Sequence, residues 1–383
     1  MRDFANEGGS VVGRDFKKIV FTISSLGSGG AERVVATLAN EMTLRGYEVS
    51  IILIRNGRVH YPLIEQVRLI KLECGHRYDH LNGIQRYSNR IKDIRDAIIA
   101  SGADVVVSFM SEINIDVCFA AIGLKIPVIV SERNDPSIDP ASSVKQIIRK
   151  LAYCRADGFV FQTPDAQSYF SDKIQRDSCI ILNPLTTQLP EPHIGIRDKR
   201  IVAVGRLHKQ KNYPLLFNAF YEFSIEYPEY VLEIYGDGLM EDQFLQLLEE
   251  KGLTQKVLLK GFCKDVHNQI RSAAFFVMTS DYEGMPNALV EAMALGMPCI
   301  STDCRCGGPR LLIKDGENGL LVPTGQIKSL LHAMLKLAQN PQFAKTLGSN
   351  AELIKERVDT QLIVDQWLAY IGKINKKGRK NEN

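Results

Sequence analysis

The sequence predicts an α/β protein in which two doubly wound domains face each other across a deep cleft. Short apolar runs alternate with amphipathic stretches of helical length, the alternation breaks near residue 183, and it then restarts. Strands that alternate with helices indicate a parallel sheet with helices on both faces. A chain of 383 residues with 45% hydrophobic composition is long enough to build two such cores.

The first half begins after a polar stretch. Residues 1–16 contain no apolar periodicity, so we expect a disordered extension. "KKIVFTI" (17–23) is typical of a buried strand, and "AERVVATLANEMTLRG" (31–46) has the apolar spacing of a helix that stops at Gly46. Further strand-like runs follow in the order "EVSIILI", "VRLIKL", "DVVVSFM", "PVIVSE" and "DGFVFQT". Residues 17–183 are therefore predicted to form the first domain.

The second half follows a proline-rich stretch. Residues 184–200 are predicted to be an interdomain linker. The domain predicted over residues 201–355 contains the strand-like runs "IVAVG", "YVLEIYG", "KVLLKG", "AAFFVMT", "PCIST" and "NGLLVP". Residues 356–375 are predicted to form a helix that packs back on the first domain, and residues 376–383 form a basic tail.

Composition excludes several classes of protein. The net charge of +3 is too small to indicate nucleic acid binding. The eight cysteines are scattered, which favours reduced thiols in a cytoplasmic protein, and "CISTDCRC" lacks the spacing of a zinc site. No apolar run has the length of a signal peptide core or a transmembrane helix, so we expect a cytoplasmic protein that does not span a membrane.

Glycines dominate the loop after the first strand. In "SSLGSGGAE" (24–32), Gly29 and Gly30 precede a helix, where backbone amides and the helix dipole attract phosphate. A tight turn would also explain the glycines. The loop does not fit the dinucleotide pattern G-x-G-x-x-G, and the second strand ends at Arg55 instead of at an acidic residue.

Two cations follow the first strand of the second half. In "VGRLHKQKN" (204–212), Arg206 and Lys211 follow Gly205 and precede a predicted helix start at Asn212, an arrangement that suits a diphosphate. The alternative is that Arg206 and Lys211 are two solvated cations on an ordinary surface loop. "YGDG" (235–238), with Gly236, is common turn chemistry and a weak signal.

Two glutamates flank a helix start in "SDYEGMPNALVEAMALGMP" (280–298). Pro286 suits the first helical position, and Glu283 precedes the helix while Glu291 lies two turns inside it. Glu283 could simply favour the helix dipole or form a cap. A carboxylate such as Glu291 can accept two hydroxyl hydrogen bonds at once, as the 2′ and 3′ hydroxyls of a ribose would donate.

These three loops give the chain a family resemblance. From about residue 17 to 375 it resembles the retaining glycosyltransferases of family 4, especially those that build bacterial cell-surface polysaccharides. The specific elements are "GSGGAERV", "VGRLHKQKN" and "EGMPNALVE", the last with the Glu-x7-Glu spacing of that family. The resemblance implies the GT-B fold, in which two Rossmann-like domains face each other.

The resemblance also implies a role for each motif residue. Arg206 and Lys211 would hold the donor diphosphate and stabilise the leaving charge without a metal ion or other cofactor, and Glu283 would bind the transferred sugar. Glu291 would bind the nucleotide ribose, and the loop "GFCKDV" (261–266) would flank the base. In such enzymes the acceptor would attack the transferred sugar from the face on which the leaving group departs. The residues expected to bind the donor are Gly29, Gly30, Gly205, Gly236, Phe262, Gly284, Met285, Pro286, Asn287, Ala288 and Glu291.

One loop departs from the family pattern. Many members have a histidine after the strand that corresponds to "PVIVSERNDP", where this chain has Glu132, Arg133 and Asn134 as candidate acceptor or sugar contacts. Relatives often use lipid-diphosphate-linked acceptors. The basic stretch at residues 76–95 fits either peripheral contact with a membrane or an ordinary surface helix.

Three functions are compatible with these motifs. The leading hypothesis is a metal-independent transferase that uses a nucleoside diphosphate sugar, with UDP as the nucleotide and a glycan as the acceptor. A nucleotide-sugar epimerase of similar fold and a non-catalytic sugar-nucleotide-binding component of a polysaccharide assembly complex are the alternatives. A dehydrogenase fits least, because the glycine loop lacks the dinucleotide pattern.

Overall fold

The structure is a computed structural model that describes residues 16–27, 29–55, 57–74, 77–78, 80–186 and 189–380, the last three by backbone alone. The extension predicted over residues 1–16 lies outside the described residues except for Phe16. Residues 381–383 of the basic tail also lie outside them.

The first half is a seven-stranded parallel sheet with the strand order β3-β2-β1-β4-β5-β6-β7. Its elements in chain order are β1 (Lys18–Ile23), α1 (Gly30–Leu44), β2 (Glu48–Leu53), β3 (Arg68–Lys71), α2 (Gly83–Ser101), β4 (Val105–Phe109), α3 (Ser111–Ala120), β5 (Val128–Ser131), α4 (Ser143–Ala152), β6 (Gly158–Phe161), α5 (Pro164–Ser168), α6 (Asp172–Arg176) and β7 (Ser178–Ile180).

The second half is a six-stranded parallel sheet with the strand order β10-β9-β8-β11-β12-β13. Its elements are β8 (Asp198–Val204), α7 (Tyr213–Glu226), β9 (Val231–Tyr235), α8 (Glu241–Glu250), β10 (Val257–Gly261), α9 (Val266–Ile270), β11 (Ala273–Met278), α10 (Asn287–Ala294), β12 (Cys299–Asp303), α11 (Gly308–Leu312) and β13 (Leu320–Pro323). Four helices follow: α12 (Ile327–Gln339), α13 (Pro341–Glu352), α14 (Ile354–Arg357) and α15 (Thr360–Lys380).

The predicted fold class is confirmed, because both sheets are parallel and every strand-like run forms a strand. Three details differ from the sequence pattern. The short strand β7 was not predicted, β8 begins at Asp198 within the stretch interpreted as linker, and α10 begins at Asn287 with Pro286 as its N-cap. Pro286 has the extended φ/ψ of a cap residue, so the first helical position falls one residue later than predicted.

Each sheet is buried on both faces. Along β1, Ile19, Phe21 and Ile23 pack into one core with α1, while Val20 packs into the core on the opposite face. Successive strand residues point to opposite faces, so a strand covered on both sides must be apolar at nearly every position. This requirement explains why the strands appear in the sequence as continuous apolar runs.

Helix α15 packs against the first half. The ring of Trp367 stacks on Phe109 with 5.7 Å between centroids, and the indole is fully buried. The hydroxyl of Tyr370 accepts a hydrogen bond from the Phe159 amide at 2.8 Å and donates one to the Asp177 carbonyl at 2.6 Å. The end of the chain thus completes the core of the sheet with which the chain began.

Each sheet has one point where its strand order reverses. In the first sheet this point lies between β1 and β4, and in the second it lies between β8 and β11. The loops at the carboxyl ends of such strand pairs form the crevice where ligands of doubly wound folds bind. Within the described residues, no helix has the length and apolar character needed to cross a membrane.

Candidate active site

Lys211 and Glu283 meet at the strand reversal of the second sheet. Lys211 lies in the loop after β8, and Glu283 lies in the loop after β11. The Lys211 ammonium Nζ is 2.6 Å from Glu283 Oε1, and both side chains are largely buried, with 16% and 11% of their surfaces exposed. The hydroxyl of Ser280 donates to the same carboxylate oxygen at 2.7 Å. These contacts hold Glu283 beside a cation instead of at the start of α10.

Arg206 supplies a second cation in the β8 loop that carries Lys211. Its side chain is exposed, and its charge acts on Glu32 in the first turn of α1. Burial raises the pKa of Glu32 above its ordinary value, and a backbone hydrogen bond and Arg206 oppose that rise only in part. Arg206 is therefore available to an anion that enters between the glycine-rich loop and the second sheet.

The glycine-rich loop touches the start of α10. The side-chain amide of Asn287 donates to the Gly30 carbonyl at 3.2 Å, and its oxygen accepts from the Asn183 amide at 2.6 Å. Gly29 is the N-cap of α1. The predicted donor residues of the two halves therefore meet directly in the cleft.

Close packing explains the glycine at position 284. A Cβ atom on Gly284 would lie 2.5 Å from Gln162 Oε1 and 2.6 Å from the carbonyl oxygen of Arg133. The amide of Met285 donates to the same Gln162 oxygen at 3.2 Å. Any larger residue at position 284 would push the β11 loop away from the first half.

Both oxygens of Glu291 are engaged. Arg33 of α1 forms an ion pair with one oxygen, and His267 Nε2 of α9 lies 2.9 Å from the other. Burial acts to raise the pKa of Glu291, but Arg33 and His267 outweigh it, so the pKa is held below its usual value. Glu291 is thus a charged carboxylate on which groups from both halves converge.

Two further residues predicted to bind the donor, Phe262 and Gly236, lie in the same region. Phe262 is half exposed, and its ring meets His60 of the first half edge-on with 6.1 Å between centroids. Gly236 has φ +137°, and a Cβ atom there would lie 2.2 Å from the Gly205 carbonyl oxygen. The backbone of the β9 loop therefore closes directly over the β8 loop that carries Arg206.

The three candidate acceptor residues occupy different environments. Glu132 is buried, and its carboxylate accepts from the hydroxyls of Tyr153 and of Ser111, the latter at 2.8 Å. Arg133 stacks over Phe109 at 4.4 Å and donates to the side chain of Asn183 at 2.8 Å. Burial lowers the pKa of Arg133 to about 9.

Asn134 turns back on its own loop. Its side-chain oxygen accepts from the Asp135 amide at 3.0 Å, and its amide group lies 3.5 Å from Asp139. All three residues therefore form protein contacts in this structure. Of the three, Arg133 approaches the loop after β11. Its side chain contacts Asn183, which bonds to the Met285 carbonyl, and its own carbonyl group lies beside Gly284.

A cavity of about 370 Å³ with charged side chains in its wall lies between the two halves, next to the Glu283 loop. Asp135 and Tyr169 of the first half and Arg305 and Arg310 of the second contribute to its wall. Arg305 Nε is 3.3 Å from Asp135 Oδ2, and the Arg305 carbonyl accepts from the Glu283 amide at 3.3 Å. An aromatic ring beside charged hydrogen-bonding groups suits a ligand rich in hydroxyl groups.

The sequence motifs did not single out Arg33, His267, Gln162 and Asn183 as site residues. Arg33 lies within the quoted motif "GSGGAERV", and His267 directly follows "GFCKDV". Their position in or beside a motif was the only feature of the sequence that could have identified them as site residues. Gln162 and Asn183 follow strands β6 and β7 at the carboxyl edge of the first sheet. Among the described residues, no three His, Cys, Asp or Glu side chains cluster as metal ligands would.

Two family descriptions match the chain, one for each half. Residues 29–181 match the "Glycosyl transferase 4-like domain", and residues 188–353 match "Glycosyl transferases group 1". Together the two matches cover most of the chain.

Curated relatives align along nearly the whole length. An uncharacterized glycosyltransferase of Haemophilus influenzae is 25% identical over 358 residues, which cover 92% of this chain and 99% of the relative. The N-acetylgalactosamine-N,N'-diacetylbacillosaminyl-diphospho-undecaprenol 4-alpha-N-acetylgalactosaminyltransferase of Campylobacter jejuni is 28% identical over 379 residues, covering 93% and 99%.

A solved structure shares the fold. HepE of Anabaena, crystallised with UDP and glucose, superposes with a TM-score of 0.80 at 19% identity and covers 93% of this chain and 99% of its own. The same family is indicated by the two parallel sheets, by the site motifs and by the two family matches. The chain belongs to the group 1 glycosyltransferases of family 4, which have the GT-B fold.

Proposed function

We propose that the protein is a retaining, metal-independent hexosyltransferase that moves a hexose or N-acetylhexosamine from a UDP-sugar to a glycan acceptor. The observation that carries this proposal is the grouping of Arg206, Lys211 and Glu283 at the strand reversal of the second sheet, opposite the glycine-rich loop. Two permanent cations beside a carboxylate suit a sugar diphosphate, with the cations at the phosphates and the carboxylate at the sugar hydroxyls.

The contact between Lys211 and Glu283 gives each side chain a partner of opposite charge. Each side chain is mostly buried, and a buried charge without a partner would cost several kcal/mol, on the order of 3–5. Each side chain therefore supplies the partner that the burial of the other requires. An incoming diphosphate competes for the ammonium group of Lys211, which frees one carboxylate oxygen of Glu283 for a sugar hydroxyl.

The residues assist transfer by holding charge in place. The bond between the anomeric carbon and the diphosphate breaks, and a bond from that carbon to the acceptor oxygen forms on the same face. The acceptor proton passes to the departing phosphate oxygen, so the protein needs no separate base. Arg206 and Lys211 stabilise the negative charge that grows on the diphosphate, a contribution that is strongest where the site excludes water.

Glu291 and Phe262 fit the nucleoside end of the donor. Glu291 is charged and can accept two hydroxyl hydrogen bonds from a ribose once Arg33 and His267 give way. Phe262 offers a half-exposed ring for a base. The similarity to HepE, which was crystallised with UDP, supports uracil as the base.

For the acceptor we propose a glycan linked to a polyprenyl diphosphate, as in cell-surface polysaccharide synthesis at the cytoplasmic face of a membrane. The Campylobacter relative carries a diphospho-undecaprenol acceptor in its name. The cavity between Tyr169 and Arg305 borders the Glu283 loop and suits the sugar portion of such an acceptor. A membrane-anchored acceptor requires the enzyme to work at a membrane surface.

Mass spectrometry and NMR of reaction products test the proposal. The enzyme is incubated in EDTA with UDP-glucose, UDP-galactose, UDP-N-acetylglucosamine or UDP-N-acetylgalactosamine, with and without a polyprenyl-diphosphate-linked glycan. We expect one donor to lengthen the acceptor by one sugar whose anomeric configuration matches that of the donor. Glu283→Gln serves as the inactive comparison.

Other products would overturn the proposal. An altered nucleotide sugar formed without an acceptor would identify an epimerase. UDP-sugar binding without turnover on any acceptor of a broad panel would favour a non-catalytic component. Product that appears only after Mg²⁺ or Mn²⁺ is added would contradict the metal-independent role of Arg206 and Lys211.

A further inference from the structure

Helix α4 of the first half presents an apolar stripe to solvent. Val144, Ile147 and Leu151 are 64%, 60% and 66% exposed. Their spacing of three and four residues places them on one face of the helix. Single exposed aliphatic residues are ordinary, whereas three on one face of a 10-residue helix form a contiguous apolar patch of the kind found at interaction surfaces.

The opposite face of α4 anchors the helix to the protein. Arg149 is buried, and its guanidinium donates to the carbonyl oxygens of Asp139 and Pro136, each at 2.7 Å. The same guanidinium is 3.7 Å from the carboxylate of Glu132. The helix therefore cannot rotate to bury its apolar stripe without breaking these contacts.

The exposed charges of α4 itself are positive. The helix contains no aspartate or glutamate, and its exposed cations are Lys145 and Lys150, since Arg149 is buried on the opposite face. Lys145 and Lys150 lie on either side of the stripe and are exposed, although Lys145 pairs with Glu112 of α3. An apolar stripe bordered by lysines is the pattern of helices that lie in the interface of an anionic membrane.

We propose that the α4 stripe, formed by Val144, Ile147 and Leu151 with Lys145 and Lys150 at its edges, is the surface by which the protein docks on an anionic lipid bilayer. The aliphatic side chains enter the boundary between head groups and acyl chains, and the lysines contact lipid phosphates. This inference goes beyond the proposed reaction, since it requires neither a donor nor an acceptor.

Docking through α4 would place the cleft next to the membrane. The segment that precedes α4 carries Asp135 and Ser137, both of which contact Arg305 across the cleft, the latter at 2.6 Å. A short loop thus links the proposed membrane surface to the cavity beside Glu283. An acceptor anchored in the bilayer would enter the cleft at this edge.

Sedimentation with lipid vesicles tests the surface directly. The full-length protein is mixed with vesicles of phosphatidylcholine alone or with added phosphatidylglycerol, and neither contains any sugar-linked lipid. We expect binding to the anionic vesicles that weakens as salt is raised. The triple variant Val144→Gln, Ile147→Gln, Leu151→Gln should reduce the partition coefficient by roughly tenfold or more.

A matched variant controls for the loss of exposed aliphatic surface in general. Leu44, Ile225 and Leu353 are 69%, 71% and 61% exposed on other elements. Changing these three residues to glutamine should leave the partition coefficient within about twofold of wild type. Lys150→Gln should weaken binding to anionic vesicles and leave binding to neutral vesicles unchanged.

Two results would overturn the proposal. One is equal sedimentation of the wild type and the α4 triple variant with anionic vesicles. The other is a wild-type dimer in solution that the α4 variant abolishes, without any vesicle binding, which would make the stripe an interface between two copies of the chain. Neither result depends on whether the protein transfers sugar, so failure here leaves the proposed function standing.

Discussion

The ion pair between Arg33 and Glu291 joins the two halves, and Arg33→Met should separate them in the donor-free protein. Arg33 belongs to α1 of the first half and Glu291 to α10 of the second. Without Arg33, Glu291 would remain buried with His267 as its polar partner at 2.9 Å. Moving the halves apart would return the carboxylate to water.

The size of the effect follows from burial. Removing one partner of a buried ion pair costs about 3–5 kcal/mol. The Arg33 side chain is 20% exposed and the Glu291 side chain is 8% exposed, so solvent screens the pair in part. We therefore expect roughly 2–3 kcal/mol, which shifts the equilibrium toward separated halves by a factor of about 30–150.

Small-angle X-ray scattering of the donor-free protein measures this change as an increase in the radius of gyration. Arg33→Lys should stay closer to wild type because it keeps the charge. Lys199→Met is the matched control, since its pair with Glu229 lies within the second half and is 60% and 41% exposed. An unchanged radius of gyration for Arg33→Met would refute the reasoning.

Three further predictions concern single side chains. Glu283→Gln should lower kcat by roughly 10²-fold or more without weakening UDP binding, since it removes a charge that acts on the sugar and leaves Lys211 free for the diphosphate; near-wild-type turnover would exclude that role. Lys211→Met should weaken UDP binding in calorimetry by about tenfold to a hundredfold, as expected for a lost hydrogen bond to a charged group, and unchanged affinity would remove Lys211 from the diphosphate site. Burial raises the pKa of Asp116 to about 6, although Arg90 opposes the rise. The folded state then holds the Asp116 proton more tightly, so stability against urea should fall as the pH rises from about 4 to 6. Asp116→Asn should remove that slope, and an identical slope in the variant would contradict the assignment.

The strands could be predicted because both sheets are covered on both faces. That burial makes the central strands continuous apolar runs, as in "VVVSF" of β4. The edge strand β7 is half buried and has only three residues, and its sequence "SCI" carries no pattern. The candidate site loops could be located because three motifs, "GSGGAERV", "VGRLHKQKN" and "EGMPNALVE", occur in this order along the chain.

Contacts between distant segments could not be predicted. Arg33 and Glu291 meet because the two halves have a particular relative placement, which no local pattern encodes. Glu132 and Arg133 are adjacent in sequence, yet one carboxylate turns inward to Tyr153 while the neighbouring guanidinium stacks on Phe109 and reaches Asn183. Which side chain turns inward depends on packing partners that lie far away along the chain, such as Trp367 of α15.

The central claim is that Arg206 and Lys211 bind the donor diphosphate without a metal ion. Isothermal titration calorimetry of UDP in EDTA, with the wild type and Lys211→Met, tests it most directly. We expect the wild type to bind UDP in EDTA with an affinity that added Mg²⁺ does not change, and the variant to bind UDP more weakly. Binding that requires Mg²⁺, or equal affinity of the two proteins, would contradict it.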